Sequence, residues 1–250
     1  MKKLMAANWK MFKTVADGVQ TARELREEVQ GDLPEDREVL VLPPAIMLEQ
    51  VSAVLGNVPG MAVGAQNMYP AEQGAFTGEI SPVQIRDCGC SYVLAGHSER
   101  RHLLGESDRF VGDKVRFGLQ AGLHMILCVG ETIEERKAGR VEEVLSRQLE
   151  QGVKDIPGVE AKQLVIAYEP VWAIGTGEVA GPDEILTVHR FVRNVLKKLL
   201  PSLADEVRIL YGGSVKPDNC ASILSLDNVD GVLVGGAGLD AQSFSRIVLA

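Results

Sequence analysis

Cysteine is scarce: Cys88, Cys90, Cys128 and Cys220 are the only four in 250 residues. They lack zinc-ribbon spacing, so the reading is four reduced thiols with packing roles, in a fold that needs neither disulfide nor metal. Also missing is any apolar run of about 18 residues, which argues against a membrane-spanning helix. The start, Met1 to Ala7, begins basic but meets Asn8, Trp9 and Lys10 before a signal-peptide apolar segment can form, so a cytoplasmic location is expected. Positive charge is short as well. With 26 Lys and Arg against 34 Asp and Glu, the net charge of −8 argues against a nucleic-acid partner. Finally, no Gly-x-Gly-x-x-Gly turn follows the first apolar run, where a dinucleotide-binding sheet usually carries one.

What is present is a rhythm. A chain of this length can bury about 72% of its unfolded surface, and 46% of its residues are hydrophobic. Eight short apolar runs recur: Leu4 to Asn8, Val39 to Leu42, Met61 to Ala65, Tyr92 to Ala95, Met125 to Val129, Leu164 to Tyr168, Arg208 to Tyr211 and Val232 to Val234. Their starts lie roughly 22 to 44 residues apart, about one βα unit each. Helical periodicity with charged faces fills the gaps, as in Thr14 to Gln30, Val141 to Gly152 and Pro182 to Leu200. Pro182 and Pro217, each followed by an aspartate, mark helix starts. An open doubly wound sheet shares this alternation, but eight strands without a glycine fingerprint favour one closed α/β barrel of eight parallel strands, a single domain spanning 1–250.

Such barrels carry their chemistry where strands end. Polar residues follow three runs: Asn8 and Lys10 the first, His97 the fourth, and Glu169 the sixth. Side chains alternate faces along a strand, so Ala6, Asn8 and Lys10 are expected on one face, Val93, Ala95 and His97 on one, and Val165, Ala167 and Glu169 on one. An amide, an ammonium, an imidazole and a carboxylate then converge over one barrel mouth. Taken singly, Lys10 reads sooner as a solvated lysine and His97 as a hydrogen-bonded helix-start histidine. Glu169 is harder to dismiss, because a carboxylate between an apolar strand and Pro170 and Trp172 should be desolvated, as suits a general base. The stretch Pro170 to Gly177 reads either as a plain connection or as a lid with an apolar middle and a glycine hinge. Gly212-Gly213-Ser214 and Gly235-Gly236 follow the last two runs, where barrels often bind phosphate through bare backbone amides.

These residues fall in segments that together resemble the triosephosphate isomerase family nearly end to end. The marks are Ala7-Asn8-Trp9-Lys10-Met11, Gly64-Ala65-Gln66-Asn67, Gly74-Ala75-Phe76-Thr77-Gly78-Glu79, Gly96-His97-Ser98-Glu99-Arg100-Arg101, Ala167 to Gly177, and Tyr211-Gly212-Gly213-Ser214. The resemblance implies a (β/α)8 TIM barrel that interconverts dihydroxyacetone phosphate and D-glyceraldehyde 3-phosphate through an enediolate, with no cofactor and no metal. It implies Glu169 as the base, His97 as a neutral imidazole donor, Lys10 as the cation and Asn8 as an orienting amide. Gly175, Ser214, Gly235 and Gly236 would bind phosphate, with Trp172 at the lid hinge and Tyr211 and Ser214 holding the closed lid. Glu99 would pair with Lys10, and Ser98 with the base when no substrate is bound. The resemblance further implies a homodimer in which the long segment Gln66 to Glu79 docks beside the partner's site, Thr77 approaching the partner subunit's Asn8 and Lys10, and Arg100 anchoring the contact.

The departures are few: Gly238 stands where serine is commoner, Leu104 where phenylalanine is, and Glu178 where lysine is frequent. His102, His124 and His189 match no catalytic position and read as structural or surface residues. Two rivals remain. One is a barrel aldolase, whose Schiff base needs a lysine at a central strand end that Lys10 satisfies, or another sugar-phosphate isomerase; the other is a catalytically inactive phosphate-binding scaffold that would keep the barrel while losing at least one chemical group.

Overall fold

Short runs with apolar side chains on both faces are satisfied only by a sheet covered on both sides. The computed structural model, which describes residues 1–156, 160–174 and 180–250, closes them into one parallel barrel in sequential order. The strands are β1 (Lys3–Asn8), β2 (Arg37–Leu42), β3 (Met61–Ala65), β4 (Tyr92–Ala95), β5 (His124–Val129), β6 (Leu164–Tyr168), β7 (Arg208–Tyr211) and β8 (Gly231–Val234). Around them run α1 (Val15–Val29), α2 (Leu48–Leu55), α3 (Pro82–Asp87), α4 (Ser98–His102), α5 (Asp108–Gln120), α6 (Ile133–Lys137), α7 (Val141–Gly152), α8 (Pro182–Leu199), α9 (Pro217–Leu224) and α10 (Ala241–Val248). The barrel closes where β1 pairs with β8, from Leu4 opposite Gly231 to Ala7 opposite Val234. No helix among the described residues is long and apolar enough to cross a membrane.

Local chemistry sets the helix starts. Thr14 Oγ1 accepts from the Asp17 amide while Asp17 Oδ2 accepts from the Thr14 amide, each at 3.3 Å, so two otherwise orphaned donors at the start of α1 are satisfied. The same reciprocal box opens α3 through Ser81 and Gln84 and α6 through Thr132 and Glu135. Proline occupies the first turn of α8 and α9, where its missing N–H costs nothing.

Two apolar layers result. Between strands and helices lie residues such as Met5, Val41, Leu127, Ile166 and Tyr168. Inside the barrel lie Leu4, Ala6, Leu40, Leu42, Tyr92, Leu94, Ile126, Cys128, Val165, Ala167, Leu210 and Leu233. At the end where the strands begin, polar groups fill the barrel. Tyr92 Oη donates to Glu38 Oε1 at 2.7 Å, Arg208 Nη1 donates to Glu38 Oε2 at 2.6 Å, and the His124 ring stacks on Tyr92 at 4.6 Å. The opposite end holds the candidate site.

Outside the barrel, His189 of α8 is fully buried, its Nδ1 2.8 Å from the carbonyl oxygen of Asn228, with the rings of Tyr168 and Tyr211 beside it. Burial lowers its pKa to about 4, the Asn228 carbonyl opposing only in part. A histidine depressed below its unfolded value of about 6.5 binds fewer protons folded than unfolded. Its contribution is therefore complete near neutral pH and is lost as pH falls from about 6.5 to about 4, a loss on the order of 3 kcal/mol. Urea midpoints taken from pH 7 to pH 4.5 should fall more steeply in the native protein than in His189→Gln. Equal slopes would remove His189 as the cause.

Candidate active site

Glu169 leaves the end of β6 at 2% exposure. Its backbone is fixed twice, because its amide donates to the Val129 carbonyl at 2.8 Å and the Gly212 amide donates to the preceding Tyr168 carbonyl at 2.7 Å. Two glycines admit it. A Cβ on Gly130 would lie 1.7 Å from the Glu169 carbonyl oxygen, and one on Gly212 would lie 2.9 Å from its Cγ. The carboxylate stands with Oε1 3.1 Å from His97 Nε2, and Oε2 accepts from the Ser98 backbone amide at 3.0 Å. Ser98 thus meets the carboxylate through its main chain.

His97 arrives by a different route from the one the alternation of faces predicts. Tyr92 and Leu94 line the barrel, whereas Val93 and Ala95 pack outward against the helices, so the inward face of β4 is the opposite of the expected one. The strand ends at Ala95, and Gly96 takes φ +71°, a left-handed turn that re-aims the chain and swings His97 into the mouth. In its new place, His97 Nδ1 accepts from the Glu99 amide at 3.3 Å. That bond assigns the ring proton to Nε2, which faces the site.

Strand alternation also stops before Lys10, which sits at φ +50° two residues beyond β1. Asn8 Oδ1 accepts from the Lys10 amide at 2.9 Å, which leaves the Asn8 side-chain NH2 to donate into the site. Gln66 Nε2 donates to the carbonyls of Lys10 and Leu42, each at 2.8 Å, and so holds the unusual turn. Lys10 Nζ lies 2.6 Å from Glu99 Oε1.

A cavity of about 340 Å³ joins these groups to the glycine-rich ends of β7 and β8. Asn8, Lys10, His97 and Glu169 line one side, and Gly212 to Lys216 with Gly235 to Ala237 line the other. Beyond Gly235, residues Gly236–Gly238 form one turn of 3-10 helix, and a Cβ on Gly236 would meet nothing within 4 Å, so its backbone is open to a ligand. The Trp9 indole donates to the Gly238 carbonyl at 2.9 Å, tying this loop to the end of β1. Tyr211 is buried, and burial pushes its hydroxyl up to about 12 while the backbone of Ala180 beside it opposes the shift. Gly175, the rest of the proposed hinge through Gly177, and Glu178 lie outside the described residues.

Several participants escaped the sequence reading. Glu131, fully buried just past β5, accepts from Trp172 Nε1 at 2.9 Å and from Tyr168 Oη at 3.2 Å, and Arg136 Nη1 lies 3.3 Å from the same oxygen. It follows the apolar run Met125 to Val129, so the rule that selected Asn8, His97 and Glu169 points to it too. Arg101 donates to the carbonyls of Gly96 and Cys128 and pairs with Asp108, bolting the ends of β4 and β5 together. Lys216 also lines the glycine end of the cavity. Cys128, by contrast, was read from the sequence as a packing thiol; it is fully buried beside Glu169, and burial, and next the neighbouring carboxylate, push its thiol well up, which disfavours a thiolate.

The segment from Gln66 to Glu79 is ordered by its own contacts. The Tyr69 and Phe76 rings pack with centroids 4.1 Å apart and planes tilted by 30°, the Tyr69 amide donates to the Ile80 carbonyl at 2.8 Å, and buried Lys114 donates to Asn67 at 2.6 Å. Thr77 is exposed, and Arg100 is held by Glu106 at 2.6 Å. Large apolar side chains stand in water after each of the first four strands: Met11 at 94% exposure, Phe12, Ile46, Phe76, Leu103 and Leu104.

Comparison with known proteins adds an independent line. A family model described as triosephosphate isomerase matches residues 3–250. Among relatives, the triosephosphate isomerase of Oleidesulfovibrio alaskensis is 59% identical over 251 residues, covering all of both chains. That of Lawsonia intracellularis is 48% identical over all of this chain and 98% of its own. That of Chloroflexus aurantiacus is 47% identical over 98% of this chain and 97% of its own.

Proposed function

The chain belongs to the triosephosphate isomerase family, and from that membership and the geometry of the site we infer an isomerase that interconverts dihydroxyacetone phosphate and D-glyceraldehyde 3-phosphate, a step of glycolysis and gluconeogenesis. The observation that carries the reading is the meeting of Glu169 with His97 Nε2 at 3.1 Å in a cavity that also holds Asn8 and Lys10.

Glu169 takes a proton from the carbon beside the carbonyl and returns it to the neighbouring carbon; to reach substrate, its Oε2 gives up the Ser98 amide. His97 donates from Nε2 to the substrate oxygens, a role consistent with an Nδ1 occupied as an acceptor. Lys10 faces the negative charge that develops on the enediolate, and the Asn8 amide orients the same oxygens. The backbone amides of Ser214, Gly235 and Gly236 receive the phosphate, with Gly175 assigned to it by family resemblance. No metal or redox cofactor takes part in this scheme, since proton transfer between adjacent carbons needs none.

Turnover of D-glyceraldehyde 3-phosphate in excess EDTA, assayed beside Glu169→Ala, tests the reading. Metal-independent activity that disappears in the variant supports it. Absence of activity with phosphoglycolate still bound would favour the inactive scaffold, and inactivation by borohydride in the presence of substrate would favour the aldolase. The ion pair of Lys10 with Glu99 suits a fixed cation better than an amine nucleophile.

The reading extends to one barrel domain over 1–250, acting in the cytoplasm as a homodimer. The apolar side chains exposed after β1 to β4 support the dimer, since adjacent strands deliver them to one half of the barrel mouth and a second copy would cover them. Thr77 is then carried toward the partner subunit's Asn8 and Lys10. Shortening the segment between Gln66 and Glu79 should yield monomers in sedimentation and lose most of the activity; a dimer of normal activity would overturn the assignment.

A further inference from the structure

Pairing between β5 and β6 does not stop where the strands end. The Val129 carbonyl receives the Glu169 amide at 2.8 Å and the Glu131 carbonyl receives the Val171 amide at 3.1 Å, so residues 129–131 lie along the segment that carries the base. The alternate residues, Cys128 and Gly130, turn their backbone groups the other way, toward the side of β4. There β4 has ended at Ala95 and turned away at Gly96, which leaves buried polar groups in need of partners.

Side chains take the missing strand's place. Arg101 donates to the Cys128 carbonyl at 3.1 Å. Gln148 of α7, buried at 3% exposure, spans Gly130: its Oε1 accepts from the Gly130 amide at 2.8 Å and its Nε2 donates to the Gly130 carbonyl at 3.2 Å. A carboxamide offers an acceptor and a donor side by side, as the peptide of a neighbouring strand would.

The helix that carries Gln148 is itself seated without slack. A Cβ on Gly152 would stand 2.3 Å from Leu127 Cδ2 of β5, and one on Gly112 of α5 would stand 2.2 Å from the Gln151 carbonyl oxygen, so α7 lies close against both elements. Gly130 in turn leaves no room for a side chain against the Glu169 carbonyl. Contacts thus run unbroken from α7 through Gln148 and Gly130 to the main chain of the base.

We propose that Gln148 is a positioning residue for isomerisation, which fixes Gly130 and through it the main chain of Glu169, and so sets how far the carboxylate reaches toward the substrate. The inference rests on the isomerase reading. Gln148 does not line the cavity, so its influence on the reaction is carried by the backbone of residues 129–131.

Gln148→Leu fills much the same space and removes both hydrogen bonds. Its kcat for D-glyceraldehyde 3-phosphate, counted per site that binds phosphoglycolate, should fall roughly tenfold while KM stays within about twofold, because a small shift of the base costs proton transfer and leaves the phosphate end untouched. Gln148→Met, whose flexible thioether fits the same space, replaces it if the leucine variant does not fold, with the same result expected.

Shortening the base reverses the expectation. In Glu169→Asp the carboxylate is withdrawn by roughly 1.5 Å, and a fixed main chain keeps it short. Releasing that main chain with Gln148→Leu or Gln148→Met should cost Glu169→Asp less than about twofold in kcat, or raise its kcat, so the two substitutions are far from additive. A merely structural role would lower kcat by the same factor in both backgrounds, and that result would overturn the proposal. A native kcat in the single variant would overturn it as well, whatever the melting temperature. Native protein that fails to isomerise would instead remove the functional reading on which it rests.

Discussion

Glu169→Asp is expected to lower kcat by about two to three orders of magnitude while KM stays within a few-fold of the native value. The substitution keeps a carboxylate and withdraws it by one carbon–carbon bond, roughly 1.5 Å. A looser main chain could shift to recover that distance, but here it is held by the Val129 carbonyl on one side and the Gly212 amide on the other. Gly130 presses against the Glu169 carbonyl from below. In the proposed scheme substrate binding rests on Lys10 and on the amides after β7 and β8, which the substitution does not touch, so the loss is expected to fall on the proton-transfer step. Steady-state kinetics in both directions check this, and a native kcat would remove Glu169 as the base.

Lys10→Met should be the other large effect, with kcat/KM reduced by about three orders of magnitude through losses in both constants. Removing the ammonium deletes a positive group aimed at an anionic substrate, and it also strands Glu99, whose carboxylate lies 2.6 Å from Nζ. The chain carries a net charge of −8, so little elsewhere offsets that repulsion. Lys10→Met combined with Glu99→Gln should therefore recover part of the loss, most visibly in KM at low salt. Equal activity for the single and double variants would mean that Glu99 exerts no such repulsion, and a native kcat/KM for Lys10→Met would remove the cation from the mechanism.

The barrel was legible because its signals are local. Apolar runs mark strands, Pro182 and Pro217 mark helix starts, and Val141–Gly152 is bounded in the structure as its periodicity indicates. The polar residues at strand ends were legible for the same reason. What failed was the extension of strand alternation past the strand. One left-handed residue, Gly96, brings His97 inward from a strand whose inward face carries Tyr92 and Leu94, and Lys10 depends on its own positive φ. The cluster of Glu131, Arg136 and Trp172 was missed because its members come from three separate stretches, the loop after β5, α6 and the turn after β6, and no spacing in the chain announces that they meet. Arg208 reads as an ordinary strand beginning and His124 as a structural or surface residue until closure of the barrel faces them toward Tyr92 and Glu38.

The two apolar layers impose a rule on how this chain can change in length. A point substitution in β6 alters one neighbour of the site, but one extra residue within it would exchange the layers, turning Ile166 and Tyr168 inward and presenting the base to the helices. Two extra residues would restore the faces yet push Glu169 roughly 6.6 Å beyond His97. Descendants of this sequence are therefore free to gain and lose residues in the connections at the barrel's far end, while the eight strands must keep their length residue for residue.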